Sequence, residues 1–458
     1  MLSSAIREYL QANQPRHLAE LKEFIRFPSI SAQSVHHADC LACAEWLAGQ
    51  FRTLGLTAEI DLGPAKPIVL AQTEQRPGLP TLLVYGHYDV QPADPMDLWK
   101  SPPFEPIEQS GNLLARGASD DKGQVYTWLK AVEAFKAVEG EVPVNLKFFI
   151  EGEEEVGSPT LAPFVAGNAQ RLACDYVAIS DTNFYDENTP SVCYGLRGLV
   201  YVEVTLTGPS MDLHSGLYGG AITNPVNALA RLIADMHDQE GRVTIPGFYE
   251  PVTPLSPQER EAWRKLNFDD AAFMAEMGVD GLTGEAGYST LERIWGRPTL
   301  DCNGIWGGYV GQGPKTVLPA WAKAKISTRL VPNQTPPAVA AGLEKYLHAH
   351  RPPGTRVEMA VLSTDEPWLM PPDSPALWAG LEAMSEAFGK PCNLIRGGGS
   401  VPITHLFQKH LGVNALMMGY GLPDDRVHSP NEKFRLEHYY RGILAGAALM
   451  RNLAKGRK

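Results

Sequence analysis

Two histidines and a series of carboxylates stand where short apolar runs end. His87 and Asp89 follow the run TLLVYG with one residue between them. Asp120 and Asp121 lie in RGASDDKG, directly before a stretch that reads as helix. Glu151, Glu153, Glu154 and Glu155 come in EGEEEVGS after the apolar run Val144–Ile150, and Asp181 follows Tyr176–Ile179. His428, in VHSPNEK, lies in the loop after Val413–Met418. Acid runs are often solvated faces, or carboxylates favoured by a helix N-terminus. That account leaves out why each run follows a buried-strand pattern and why two histidines share the arrangement. Crowded carboxylates repel unless positive charge sits among them. Two divalent cations would supply it, using about two His and three carboxylates, one of them bridging. Such mixed ligands suit zinc, with Mn2+ or Co2+ as alternatives. Two ions about 3.5–4 Å apart can activate a shared water and clamp a hydrolytic transition state. A further carboxylate beside them would act as general base, and Asp89 is placed to orient His87. The residues therefore read as a di-metal hydrolase.

Such groups converge only if strands deliver their carboxyl ends to one place, which is where open α/β sheets bind ligands. Thr81–Tyr85 reads as a short buried strand broken by Gly86. Ala58–Leu62, Pro67–Thr73, Val144–Ile150 and Tyr176–Ile179 are further strands, and Ala38–Leu54 and Val125–Val138 are helices. This rhythm predicts the α/β class, with a mostly parallel, helix-covered sheet. Residues 3–26 read as one surface helix. After residue 198 the texture changes. Leu199–Thr207, Lys323–Leu330 and Arg356–Leu362 alternate like half-exposed strands, and Pro225–Met236 and Pro337–His348 are helical, with a charged helical excursion over roughly 255–300. That is an α+β layer with one open sheet face. Pro375–Gly389 and Val413–Met418 return to the first texture. The expected organisation is a catalytic domain from 1–198 and 374–458, interrupted by an inserted domain over 199–373.

Bulk properties narrow the function. The chain has 458 residues and a net charge of −12, with a pI near 5.5. This argues against nucleic acid and anionic membranes as partners. No run of about 20 apolar residues occurs, and the N-terminus lacks a secretory h-region. Six cysteines are too sparse for a disulfide scaffold, so the expected location is cytoplasmic. Cys40 and Cys43 form C-x-x-C but read as core residues one helical turn apart, because no second Cys/His pair follows at suitable spacing. Gly307–Thr316 nearly matches a phosphate-binding loop, yet Pro314 separates Gly313 from Lys315. Lys122 reads as a local salt-bridge residue.

Taken in order, GHYDV, RGASDDKG, EGEEEVGS, ISD and HSPNEK resemble the di-zinc family of dipeptidases, carnosinases, aminoacylases and related carboxypeptidases. DLHSGLYGG, PKTVLPAWAKAKISTRLVPN and GGGSVPITHLF resemble its cytosolic carnosinase-type dipeptidase branch. The resemblance runs through nearly the whole chain. It implies that His87 and Asp181 hold one metal, Glu155 and His428 the other, and Asp120 both, with a cis peptide before Asp121. It makes Glu154 the general base. It implies that the inserted domain is a lid that mediates homodimerisation, so that His214 reaches the partner's active site and stabilises the oxyanion. Arg329 would grip the substrate carboxylate, and Thr316 and Ser400 would line the substrate site. The implied substrate is a dipeptide or similar amide with a free carboxylate, the alternative being an N-acyl amino acid or a carboxypeptidase substrate. One departure stands out. Gly397 occupies a position where carnosinase-like members tend to carry an acid, which weakens the expectation of a required free amine.

Overall fold

The computed structural model describes residues 1–63, 66–399 and 401–456. The chain forms two compact units: 1–194, 370–395 and 403–458 make the first, and 195–369 with 396–402 the second. Among the described residues no helix is long and apolar enough to cross a membrane.

The first unit is built on the strand Thr81–His87. It pairs in parallel with Asn145–Glu151 on one side and Tyr176–Ile179 on the other, and Ala415–Met417 continues the parallel order beside Tyr176–Ile179. Leu82, Leu83, Val84 and Tyr85 are all buried, as an unbroken apolar run requires when both sheet faces are covered. The flanks are antiparallel. Thr57–Asp61 and Ile68–Gln72 form a hairpin against Asn145–Glu151, which a short connection allows and a parallel crossover would not. Ser191–Leu196 runs antiparallel to Ala415–Met417 on the other side.

The helix Leu436–Lys455 packs on both Lys122–Glu139 and Pro375–Phe388. Lys122–Glu139 approaches the sheet closely at Gly86, where a Cβ would meet Val125 Cγ2 at 2.4 Å and Asp121 Oδ2 at 2.7 Å. Only glycine permits that approach. The N-terminal periodicity predicts one helix over 3–26, but there are two, Ser4–Ala12 and Gln14–Ile25. Pro15 lacks the N–H needed to carry the first helix onward, and its ring would strike the preceding turn.

Both N-terminal helices pack on Lys122–Glu139. There the Glu133 carboxylate accepts from Tyr9 Oη at 2.8 Å, Lys130 Nζ at 2.8 Å, His17 Nε2 at 3.1 Å and the Arg16 guanidinium. Burial alone would raise its pKa, but His17, Arg16 and Lys130 outweigh that and hold it well below the ordinary carboxylate range. A depressed folded pKa gives stability that is present above the unfolded value and lost as pH falls. Glu133→Gln is therefore expected to cost about 1–3 kcal/mol at neutral pH. The gap from the parent should narrow at about pH 3.5. Urea unfolding of both proteins at the two pH values checks this, and an unchanged gap would contradict it.

The second unit holds a four-stranded antiparallel sheet in the order Thr299–Gly307, Trp321–Leu330, Gly198–Thr207, Arg356–Asp365. Val200, Val202, Val204 and Leu206 alternate into a core formed with Leu229, Leu232, Leu343 and Leu347 from the helices Pro225–Ala234 and Pro336–His350. Three helices, Pro257–Arg264, Asp270–Met277 and Thr290–Gly296, precede the strand Thr299–Gly307. Capping boxes at Ser256/Glu259 and Ser289/Glu292 start the first and last of them.

Candidate metal centre

His87 is the last residue of its strand and is fully buried. Its Nδ1 donates to the main-chain oxygen of Asp89 at 3.1 Å, with Asp89 Oδ1 at 3.4 Å. With Nδ1 held by Asp89, Nε2 is the nitrogen turned toward the site, the one a divalent ion would take in place of a proton. That nitrogen is buried without a hydrogen bond and faces Asp120 Oδ1 at 3.2 Å and Asp181 Oδ2 at 3.6 Å. Asp181 comes just beyond the strand Tyr176–Ile179, the parallel neighbour of the His87 strand.

Asp120 has a second face. Its Oδ2 lies 2.9 Å from His428 Nε2, which lies 3.1 Å from Glu155 Oε2. The structure thus brings together two groups with metal-ligand geometry, His87–Asp120–Asp181 and Asp120–Glu155–His428. Asp120 belongs to both and turns one oxygen to each histidine. The Asp120–Asp121 peptide is cis. No ion is needed to see that the site fits one. An orphaned imidazole nitrogen points at two carboxylates, and the donors are of the imidazole and carboxylate types that divalent zinc, manganese and cobalt accept.

Asp89 does more than its spacing suggests. Its two carboxylate oxygens accept from the backbone N–H groups of Glu154 at 3.2 Å and Glu155 at 3.1 Å. These are open donors at the start of the 3-10 turn Glu154–Val156. One side chain therefore ties the His87 loop to the Glu154–Glu155 turn, while the main-chain oxygen, nearer than the carboxylate, holds the ring. Gln91, which no spacing rule singles out, donates from Nε2 to Glu155 Oε2 at 2.9 Å. Glu153 faces elsewhere: its Oε1 accepts from the Thr160 N–H at 2.9 Å and from the Thr160 hydroxyl.

The electrostatics follow from this crowding of acids. Burial would lower the His87 pKa, but Asp120, Asp181 and Asp89 overcome it and hold it well above the ordinary value. Burial would raise Asp120, but His428 and His87 pull it down. Among the described residues the Glu154 carboxylate has no hydrogen-bond or ion-pair partner. Burial above all pushes its pKa up to about 8; His87 opposes this, and the charges of Asp181, Asp120 and Glu155 add to it. A base raised in this way, with its oxygens uncommitted, can exchange a proton with a neighbour near neutral pH.

Other expected residues lie elsewhere. In the second unit, His214 pairs with Val317 across a short antiparallel ladder, and the Ser215 N–H donates to the Thr316 oxygen at 3.0 Å. His214 and Thr316 are thus brought side by side. The His214 ring is exposed and accepts from the Gly216 N–H through Nδ1. Arg329 is half-buried on Trp321–Leu330, opposite Leu199 and Thr299. Ser400 lies outside the described residues. Lys122 departs from its expected salt bridge. It is fully buried and donates to the Phe27 carbonyl oxygen at 2.6 Å, with its Nζ 5.3 Å from the centre of the Phe24 ring. No carboxylate reaches that pocket within ion-pair distance among the described residues. Cys40 and Cys43 are buried core residues of the helix His37–Thr53.

Residues 83–452 match the model of peptidase family M20/M25/M40. The chain is 32% identical to the Cys-Gly metallodipeptidase dug1 of Schizosaccharomyces pombe, over 98% of this chain and 97% of that one. It is 31% identical to the human Beta-Ala-His dipeptidase, over 99% and 93%. Among solved structures it resembles the M20 family metallo-carboxypeptidase Sso-CP2 from Sulfolobus solfataricus, with a TM-score of 0.82, 32% identity and coverage of 96% and 99%.

Proposed function

The chain belongs to peptidase family M20/M25/M40, and on that footing we propose that it is a two-metal dipeptidase cleaving the amide bond of small substrates that carry a free carboxylate. The observation that carries this reading is the sharing of Asp120 between His87–Asp181 and Glu155–His428, with the unpaired Glu154 carboxylate among them. The relatives named for Cys-Gly and Beta-Ala-His support the substrate class. Zinc suits the donor set, with manganese or cobalt as alternatives; when bound, such ions polarise a scissile carbonyl and acidify water. His87 and Asp181 would hold one ion, Glu155 and His428 the other, and Asp120 both. Glu154 takes a proton from the attacking water onto its carboxylate and returns it to the leaving amine nitrogen. Asp89 keeps the His87 ring and the Glu154 turn in register. Arg329 pairs with the substrate carboxylate, for which a guanidinium fork is suited. Thr316 lines the substrate site. The sparse cysteines support a cytoplasmic location, which cell fractionation checks.

N-acyl-amino-acid deacylation or carboxypeptidase action is the second reading. Gly397, which offers no acid to hold a free amine, favours it, as does the likeness to a carboxypeptidase. Hydrolysis of Ala-Ala, Leu-Gly, carnosine, N-acetyl-amino acids and a longer peptide, in zinc and in manganese, separates the readings. Fast cleavage of unblocked dipeptides alone is the expected result. Cleavage of only the N-acyl compounds would move the enzyme to the deacylase side.

The inserted unit is proposed to form a homodimer in which His214 serves the partner's site, donating to the carbonyl oxygen as charge develops there. Mixing His214→Ala with Glu154→Gln subunits is expected to restore activity in heterodimers. No recovery in verified heterodimers would remove the shared site.

A further inference from the structure

Glu432 is a buried carboxylate that has no place in the chemistry above. It is fully inaccessible to solvent and lies four residues after His428, in HSPNEK. Its oxygens are saturated by one loop. Oε2 accepts from Arg116 Nη1 at 2.8 Å and from the Gly117 N–H at 2.9 Å. Oε1 accepts from the Ser119 N–H at 2.9 Å and from the N–H of Asp120 itself at 3.1 Å. The Glu432 main-chain oxygen adds a bond from the Ala115 N–H at 3.1 Å. A neighbouring acid, Asp425, is buried and accepts from the Ser119 hydroxyl at 2.8 Å and the Leu422 N–H at 2.8 Å.

We infer that Glu432 is a positioning residue for the metal centre, fixing Asp120 relative to His428 before any ion arrives. Three backbone donors of the RGASD loop, those of Gly117, Ser119 and Asp120, converge on one carboxylate, which holds Asp120 in place. The same side chain belongs to the segment that carries His428. One residue thus sets the distance between the shared carboxylate and a histidine from a distant part of the chain. Residues behind a metal's own ligands orient them, and their loss commonly weakens binding 10- to 100-fold. All four side-chain hydrogen bonds run toward Glu432. An amide in its place would turn one NH2 group toward N–H donors and would lose the charge that faces Arg116.

This inference rests on the two-metal reading, and its test separates the two. Parent, Glu432→Gln and Glu432→Asp are stripped with chelator and titrated with zinc and with manganese against a chelating dye. The parent is expected to bind two ions per chain. Failure of the parent to do so would overturn the two-metal reading itself. Both variants are expected to bind about 10- to 100-fold more weakly, with the aspartate less affected because it keeps the charge. A role confined to fold stability would lower the melting temperature yet leave ion affinity at the parent value, and that result overturns the inference. A second measurement needs no variant. Hydrogen exchange of the stripped parent is expected to show the Gly117, Ser119 and Asp120 amides already protected. If they become protected only after zinc is added, the ion and not Glu432 orders the loop, and the inference falls even if the variants bind weakly.

Discussion

Glu154→Gln is expected to lower kcat about 10²- to 10⁴-fold while leaving KM and ion content close to those of the parent. The middle of that range corresponds to about 4 kcal/mol of transition-state stabilisation. The split between kcat and KM follows from where Glu154 sits. Its backbone N–H is anchored on Asp89 Oδ1 at 3.2 Å, so the turn survives the substitution. Its carboxylate belongs to neither ligand group, so both groups keep their donors. What is lost is an unpaired acid raised by burial and by the Asp181, Asp120 and Glu155 charges. Glutamine is nearly isosteric but cannot take up a proton. Steady-state kinetics with metal analysis of the same samples make the test. Turnover within tenfold of the parent would remove Glu154 as the base, whereas loss of ions would show that it serves as a ligand.

Particular residues show how much of this was legible beforehand. The apolar strands Thr81–His87, Asn145–Glu151 and Tyr176–Ile179 end in or just before residue types that an interior would not tolerate unpaired. Local pattern therefore marked His87, Asp181, His428 and the acid runs around Asp120 and Glu155, the family resemblance picked Asp120 and Glu155 out of those runs, and the structure gathers the five into two groups. The alternating strands of the second unit were legible for the same reason, because Gly198–Thr207 alternates between buried and half-buried along its whole length. What pattern could not supply is pairing at a distance. Thr299–Gly307 is mostly exposed, contains Gly304 and shifts register between Cys302 and Gly304, so no clean alternation marks it. The Asp89 carboxylate spends its hydrogen bonds on amides 65 and 66 residues away, and Glu432 reaches amides more than 300 residues away. Neither connection leaves a trace in spacing. Lys122 misled for a related reason. A charged residue beside two aspartates suggests an ion pair, but its chain turns inward to a carbonyl that only the packed fold presents.

The second large effect concerns Asp120 and is best seen by comparison with His428. Asp120 faces His87 through Oδ1 and His428 through Oδ2, whereas His428 belongs to one group only. Asp120→Ala is therefore expected to abolish measurable activity and to weaken binding of both ions. His428→Ala should weaken one ion and leave the His87–Asp181 side able to bind. The asymmetry has a physical cause beyond ligand count. With two ions in place, the shared carboxylate offsets their mutual repulsion, and without it each ion would face the other across an unscreened gap. In the absence of ions its removal is expected to cost some stability, because His428 and His87 hold the Asp120 carboxylate against the cost of its own burial and taking one member from such a pair leaves the others less well compensated. Zinc titration of the two variants, read as ions bound per chain, makes the test, with thermal melting of the stripped proteins as the control for folding. Loss of a single ion in Asp120→Ala, with the second bound as in the parent, would mean that Asp120 serves one site and that another carboxylate spans the pair. Asp121 would be the first to examine, since its Oδ1 is buried and has no hydrogen-bond partner among the described residues.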